Sequence, residues 1–262
     1  MRQNKTLLII IVMVVVGGIG FSAYLLTRPS SPAEVDLDEI QLFIDEGQYA
    51  TARDQLIQLV ATDSNNAEAQ FLLGLAYFNL EEYGDAEASF RKALELDSDR
   101  AAAVHHNLGV LAFQLGDMQT ALNEFRAALE ADPGDPDSHY QLGATYLVMA
   151  FPPGAVQADP DLLQQSEEQF ELSLGASPDK PEALVGLANI YLLQNDLSQA
   201  INLLEKAVAS QPKMREALFA LGRAYAFSGQ TAEAQSTLEL FLETDPPAQW
   251  KQQAEELLAQ LE

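Results

Sequence analysis

The 262-residue sequence has no cysteine, one tryptophan and three histidines. Without cysteine there is no disulfide framework, no thiol nucleophile and no lipid-modified cysteine anchor. Basic residues are scarce: 14 Lys and Arg stand against 39 Asp and Glu, for a formal net charge of -25. Every acidic residue lies at or beyond Glu34, whereas Arg2, Lys5 and Arg28 precede it. So acidic a surface repels phosphate backbones and argues against a nucleic-acid partner. Solubility is the plain reading of this charge, and steering of basic partners is the alternative.

Catalytic signatures are also missing. There is no P-loop. Gly18, Gly20 and Ala23 loosely mimic a dinucleotide fingerprint, but they lie inside an apolar run with no strand before them. His105 and His106 are chain neighbours, about 100° apart on a helix, so they cannot share a metal. Carboxylates are plentiful, yet none pairs with another in a pattern suited to acid–base work. The expectation is a protein that is not an enzyme and has no cofactor, no metal and no small-molecule substrate.

The one long apolar run covers residues 7–26, with no charge in it. Twenty residues at about 1.5 Å each span roughly 30 Å, the thickness of a bilayer core. Tyr24 and Arg28 sit where a membrane interface would hold them. A cleaved signal peptide is the alternative, but the run is longer than a signal core and no clear small-residue cleavage site follows. We expect an uncleaved transmembrane helix. Basic residues at 1–6 leave the short amino end in the cytoplasm and send the acidic remainder across. Residues 27–33 form a Pro- and Ser-bearing linker.

The remainder is repetitive. In the stretch 67–100, Leu73–Gly74 and Tyr77 precede Tyr83, Ala86, Phe90, Ala93 and Leu94. The features return 35 residues later as Leu108–Gly109, Ala121, Phe125, Ala128 and Leu129, closing on Asp132–Pro133. Self-similarity at this period marks stacked repeats. Phe71, Leu73, Leu75 and Phe78 are too dense for a one-sided surface helix and suit one buried on two faces. Ala86, Phe90, Ala93 and Leu94 form a helical stripe. Small Gly74, Ala86 and Ala93 let two helices approach, and the prolines stop each second helix.

These positions resemble the tetratricopeptide repeat (TPR) family, whose pattern of Leu-Gly, Tyr, Ala, Phe, Ala and Pro recurs about every 34 residues. The resemblance implies an all-α superhelix, an α-solenoid of helix-turn-helix repeats, here preceded by one transmembrane helix. Six copies fit residues 34–246. In the first, Glu39–Ile40 replaces Leu-Gly, as expected of a cap. In the fourth, Leu142–Gly143 and Tyr146 are followed by an insertion near 149–160. Gly74 to Phe90 spans 16 residues but Gly143 to Phe170 spans 27, an excess of 11. Asp159–Pro160 should start the delayed helix. The fifth copy carries Leu187–Ala188, Tyr191 and Leu204, and the sixth Leu221–Gly222 and Tyr225. Residues 247–262 read as a capping helix with Trp250, Ala254, Leu257, Leu258 and Leu261 on one stripe.

In the family, the first helices line a concave groove. Carried over by position, the protein-binding groove would include Phe71, Leu75 and Phe78, then His106, Asn107, Val110 and Phe113. It continues with Tyr140, Gln141, Ala144 and Leu147, then Val185, Asn189, Leu192, Phe219, Arg223 and Phe227. Only Arg223 supplies a cation there, too few to clamp a peptide carboxylate. A peptide or helix segment of another protein is the implied occupant. Glu34, Glu68, Asp137, Glu182 and Glu216 recur at the starts of first helices, where helix-dipole stabilisation explains them. The expectation is a single-pass membrane protein with an extracytoplasmic repeat domain, periplasmic in a Gram-negative cell. It would act as a scaffold, assembly factor or chaperone-like holder. A structural subunit of a larger membrane complex is the alternative.

Overall fold

Thirteen α-helices and no strands follow one another through residues 36–261, the part that the computed structural model describes. Six antiparallel pairs come first: α1 (Leu37–Asp45) with α2 (Tyr49–Thr62), α3 (Ala67–Asn79) with α4 (Tyr83–Leu96), and α5 (Ala101–Gln114) with α6 (Met118–Ala131). Then follow α7 (Pro136–Met149) with α8 (Pro160–Ala176), α9 (Pro181–Leu193) with α10 (Leu197–Ser210), and α11 (Arg215–Phe227) with α12 (Thr231–Leu242). Helix α13 (Ala248–Leu261) ends the stack. The all-α repeat architecture expected from the sequence is therefore what the chain forms. The expected membrane helix at 7–26, with its flanks at 1–6 and 27–33, lies outside the described residues. Among the described residues, no helix is long and apolar enough to cross a membrane.

Local chemistry sets the helix boundaries. Side chains of Asp36, Asn66, Asp117, Asp135, Asp159 and Asp196 each accept a backbone N–H in the first turn they precede. Each such cap is worth about 1 kcal/mol. The turn inside a pair is equally regular. Gln48 N donates to Phe43 O (2.7 Å), Glu82 N to Tyr77 O (2.9 Å), Asp117 N to Ala112 O (2.9 Å), Asp196 N to Tyr191 O (2.8 Å) and Gln230 N to Tyr225 O (2.9 Å). These bonds require a left-handed residue just before the donor. Gly47, Glu81, Gly116, Asn195 and Gly229 fill that place, with φ of 75°, 62°, 79°, 61° and 77°.

In pairs two to six, a large side chain of the second helix seats on a glycine or alanine of the first, while in the first pair Ile40 stands in place of the small residue. Leu56, Phe90, Phe125, Phe170, Leu204 and Leu238 are all at most 1% exposed. Burying one such side chain contributes about 1.5–3 kcal/mol. Successive first helices α7, α9 and α11 touch each other, as do α5 with α7 and α11 with α13. The first helices thus form the inner side of a curved stack.

The fourth pair carries the irregularity. Its excess length is shared between the loop at 150–159 and the second helix, since α8 has 17 residues where α4, α6 and α10 have 14. Asp159 N donates to Ala150 O at 2.9 Å, which closes the loop on itself. Asp159 caps α8 and Pro160 occupies its first position. Serines replace alanines on α8: Ser166 Oγ donates to Gly143 O and Ser173 Oγ to Pro136 O, each at 2.7 Å, so neither buried hydroxyl is left without a partner.

Candidate functional site

The inner face divides into two unlike halves. In the amino-terminal half the side chains lean on their neighbours. Phe71 is half-buried, its ring 5.8 Å from that of Phe90, with the Arg100 guanidinium 6.0 Å from its centroid. Leu75 packs into the cores on both sides of α3, and Phe78 meets Tyr83 at 5.9 Å. Asn107 Nδ2 donates to Ala103 O of its own helix at 2.8 Å. Val110 and Phe113 pack against the α6–α7 core, and Gln141 is half-buried.

The histidines are engaged too. His106 Nδ1 lies 2.9 Å from Ser138 Oγ, with its ring 5.9 Å from Phe125. Burial lowers its pKa, and Lys180 adds to this, against Asp135 and Asp137. Asp135 accepts from Ser138 N, and although burial alone would raise its carboxyl, hydrogen bonds from Ser138 and Asp137 hold it low. His105 Nδ1 sits 2.7 Å from Glu124, and His139 bonds Gln169 and Pro133 O. Among the described residues, no group of His, Asp and Glu is arranged to hold a metal.

The carboxy-terminal half is open. Two cavities of about 470 and 590 Å³ adjoin there and share Leu147, Asn189 and Arg223 as common wall. The first is lined by α7, α9 and α11 through Tyr140, Ala144, Val185 and Phe219, and by α13 through Trp250 and Gln253. The second is lined by Leu192, Leu193, Asn195, Leu197, Phe227 and the loop residue Phe151. Of the groove expected from the sequence, Tyr140, Leu147, Asn189, Leu192, Phe219, Arg223 and Phe227 therefore come together. Phe71, Leu75, Phe78, His106, Asn107, Val110, Phe113 and Gln141 line neither cavity.

Aromatic stacking builds the floor. Phe219 stacks on Trp250, with centroids 5.6 Å apart and planes at 19°, and lies 5.1 Å from Phe241. The Arg223 guanidinium sits 5.6 Å above Phe219 and 5.8 Å above Phe227. Each such contact is worth about 0.5–1 kcal/mol at an exposed site. Among the described residues Arg223 forms no ion pair, so its donors face the groove rather than a carboxylate. Phe170 reaches the wall from α8 because Gly143 and Gly186 leave room. A Cβ on Gly186 would lie 2.6 Å from Phe170 Cζ.

Two acidic residues complete the first cavity. Glu182 and Glu216 open α9 and α11 and line it together. Burial first, then the charges of Glu182 and Glu216, raise the pKa of the Tyr140 hydroxyl, which stays neutral at physiological pH. Lys180 Nζ lies 5.5 Å from the Tyr140 ring; it is paired with Asp137 and is 3.8 Å from Glu182. The sequence shows Glu182 and Glu216 one repeat apart, which places them on the same side of adjacent first helices, but dipole stabilisation explained them equally well. Trp250 lies beyond the repeats and Phe151 within the insertion, so periodicity pointed to neither.

Two family models, each described as tetratricopeptide repeat, match this chain, one at residues 37–101 and 79–136, the other at 163–213 and 192–261. Among solved structures the fold is similar to PilF of Pseudomonas aeruginosa, with TM-score 0.71 and 20% identity over 85% of this chain and 97% of that one. PilW, described as a widely conserved type IV pilus biogenesis factor, gives TM-score 0.68 and 19% identity over 86% and 99%. YrrB, described as having an unusual peptide-binding site, gives 0.55 and 18% over 77% and 97%. At these identities the likeness is one of fold. Among curated proteins, the RNA polymerase-associated protein CTR9 of Caenorhabditis elegans is 26% identical over 153 residues. That match spans 58% of this chain but only 13% of CTR9.

Proposed function

The chain belongs to the tetratricopeptide repeat family, and from that premise we propose that it is a membrane-anchored scaffold. In this reading it holds a segment of another protein in the carboxy-terminal half of its inner face. One observation carries this: two adjoining cavities with a common wall, floored by Phe219, Trp250 and Phe227, in the carboxy-terminal half of the inner face. An apolar floor rimmed by polar groups is the usual form of a polypeptide-binding surface. The role is that of an assembly factor or holder, in line with the pilus-biogenesis description of PilW. The apolar run at 7–26 tethers the repeats, and the basic residues before it leave them on the far side of the membrane.

Two experiments test the proposal. A photo-cross-linking side chain at Phe227 should capture a discrete partner in intact cells, while one at Leu240 on α12 should not. Equal capture at both places removes the groove. Alkaline extraction of membranes should leave the chain in the pellet, and protease should cut the repeats only from the extracytoplasmic side. Release to the supernatant removes the anchor.

A further inference from the structure

The two cavities differ in chemistry, and the difference runs along the helices. Glu182 and Glu216 stand at the amino-terminal ends of α9 and α11 and line the first cavity. Leu192 and Phe227 stand near the carboxy-terminal ends of the same helices and line the second, where among the described residues no carboxylate contributes to the wall. Asn189 and Arg223 belong to both cavities and lie between. An acidic end, a hydrogen-bonding middle and an apolar end thus follow one another along one line.

The acidic end is neutralised from within only in part. Lys180 is committed to Asp137 and reaches Glu182 only at 3.8 Å, and among the described residues Glu216 forms no ion pair. Arg223 is held over two phenyl rings in the middle of the line. From there it can donate to a backbone carbonyl without occupying the acidic end. Glu182 and Glu216 also border the aromatic ring of Tyr140, a surface that suits the apolar stem of a lysine or arginine while its head meets the carboxylates.

The spacing follows from helix geometry. Ten residues from Glu182 to Leu192 rise about 15 Å along α9. An extended chain covers that distance in about four or five residues, at roughly 3.3 Å each.

We propose that this groove takes an extended segment of a partner polypeptide. The segment sets a lysine or arginine against Glu182 and Glu216 and, four or five residues along the chain, an aliphatic or aromatic side chain against Leu192 and Phe227. The proposal rests on the protein-scaffold reading above and adds the chemistry of the partner. Its charge is opposite to that of the carboxylate-ended peptides that a basic clamp would hold.

The test is selection of a randomised ten-residue peptide library on the full chain in detergent micelles. Affinities of selected peptides lacking tryptophan are then read from the emission of Trp250, the sole tryptophan, which lines the first cavity. Selected peptides should pair a basic with an apolar residue at a spacing of four or five. The double variant Glu182→Gln/Glu216→Gln should bind them at least tenfold more weakly and select without basic preference. Phe227→Ser, at an exposed position, should lose the apolar preference and keep the basic one.

A control double variant, Asp38→Asn/Glu39→Gln on α1, removes the same charge at exposed sites far along the stack and should change affinity less than twofold. If the two double variants weaken binding equally, general acidity is the attraction and the proposal fails, while the groove stands. Selection of acidic or neutral peptides also overturns it, as does a spacing near ten, which would mean a helical occupant. No enrichment, with Trp250 emission unmoved, sinks both the proposal and the groove.

Discussion

A Cβ built on Gly74 would lie 2.5 Å from Cδ1 of Phe90, so the repeat closes only because one residue has no side chain where the other has a ring. Gly109 stands in the same relation to Phe125, at 2.6 Å, and Gly143 to Phe170, at 2.9 Å. In the fifth pair, Ala188 sits where the glycine was and Leu204 where the phenylalanine was, and both are fully buried. The two positions trade volume with each other.

Gly74→Ala should therefore destabilise the protein by about 1–3 kcal/mol through overpacking. Gly84→Ala, where nothing lies within 4 Å of the new Cβ, should be neutral or stabilising by about 0.5–1 kcal/mol. Adding Phe90→Leu to Gly74→Ala should recover part of the loss, because it reproduces the fifth pair. Urea unfolding followed by circular dichroism measures all three, and an additive double mutant would show that the positions are not coupled.

Glu81 occupies the left-handed turn position that glycine fills in three of the other repeats, with φ of 62°. Its side chain is exposed and makes no contact that the turn needs. Glu81→Gly should stabilise by about 1 kcal/mol by removing the clash between Cβ and the backbone. Thermal unfolding checks it: a lower midpoint would mean that the side chain contributes more than the strain costs.

Tyr225 Oη donates to Glu205 Oε1 at 2.7 Å. Burial, then this bond and the Glu205 charge, push the Tyr225 hydroxyl up to about 12. In the unfolded chain it titrates near 10. A folded-state pKa above the unfolded one means that the native state favours the neutral phenol. The stabilisation is then complete below pH 10 and is lost as pH rises from 10 to 12. Tyr225→Phe should flatten the fall in stability across that window and cost about 1 kcal/mol at pH 7. Denaturant titrations at pH 7, 10 and 11 measure both effects. An unchanged alkaline slope would mean that Tyr225 ionises freely.

The inserted loop should be dispensable for folding. Asp159 N already bonds Ala150 O, so the ends of the segment 151–158 are held together. Replacing that segment by one glycine rebuilds the turn found in the other repeats. Stability should change by less than about 1 kcal/mol, since loop length enters only logarithmically. Binding in the second cavity should weaken, because Phe151 leaves its wall. Peptide titration and thermal unfolding, run side by side, separate the two effects.

Much of the fold was legible in the chain itself. The Leu-Gly, Ala and Phe positions and the Asp–Pro starts at 135–136 and 159–160 are local in origin. They are set by side-chain volume, helix caps and backbone restriction, and all of these act within one repeat. The candidate site was half legible. Tyr140, Asn189, Phe219, Arg223 and Phe227 line the cavities, and the family resemblance carried over by position had put them on the inner face. Phe71, Val110 and Phe113 hold the same kind of position and yet line neither cavity; each is half-buried against its neighbours in the amino-terminal half.

The sequence by itself determined that helix pairs would stack, since a period written into the residues needs no tertiary knowledge to read; that the first helix of each pair would face inward came from the resemblance to the family. Only the tertiary structure decided where along that inner face a groove stays open. That depends on residues far apart in the chain: Trp250 from the end helix, Phe151 from an insertion, and Glu182 beside Glu216 on neighbouring repeats. Periodicity carries the spacing of residues along the chain. A binding surface depends on how separate turns of the stack meet.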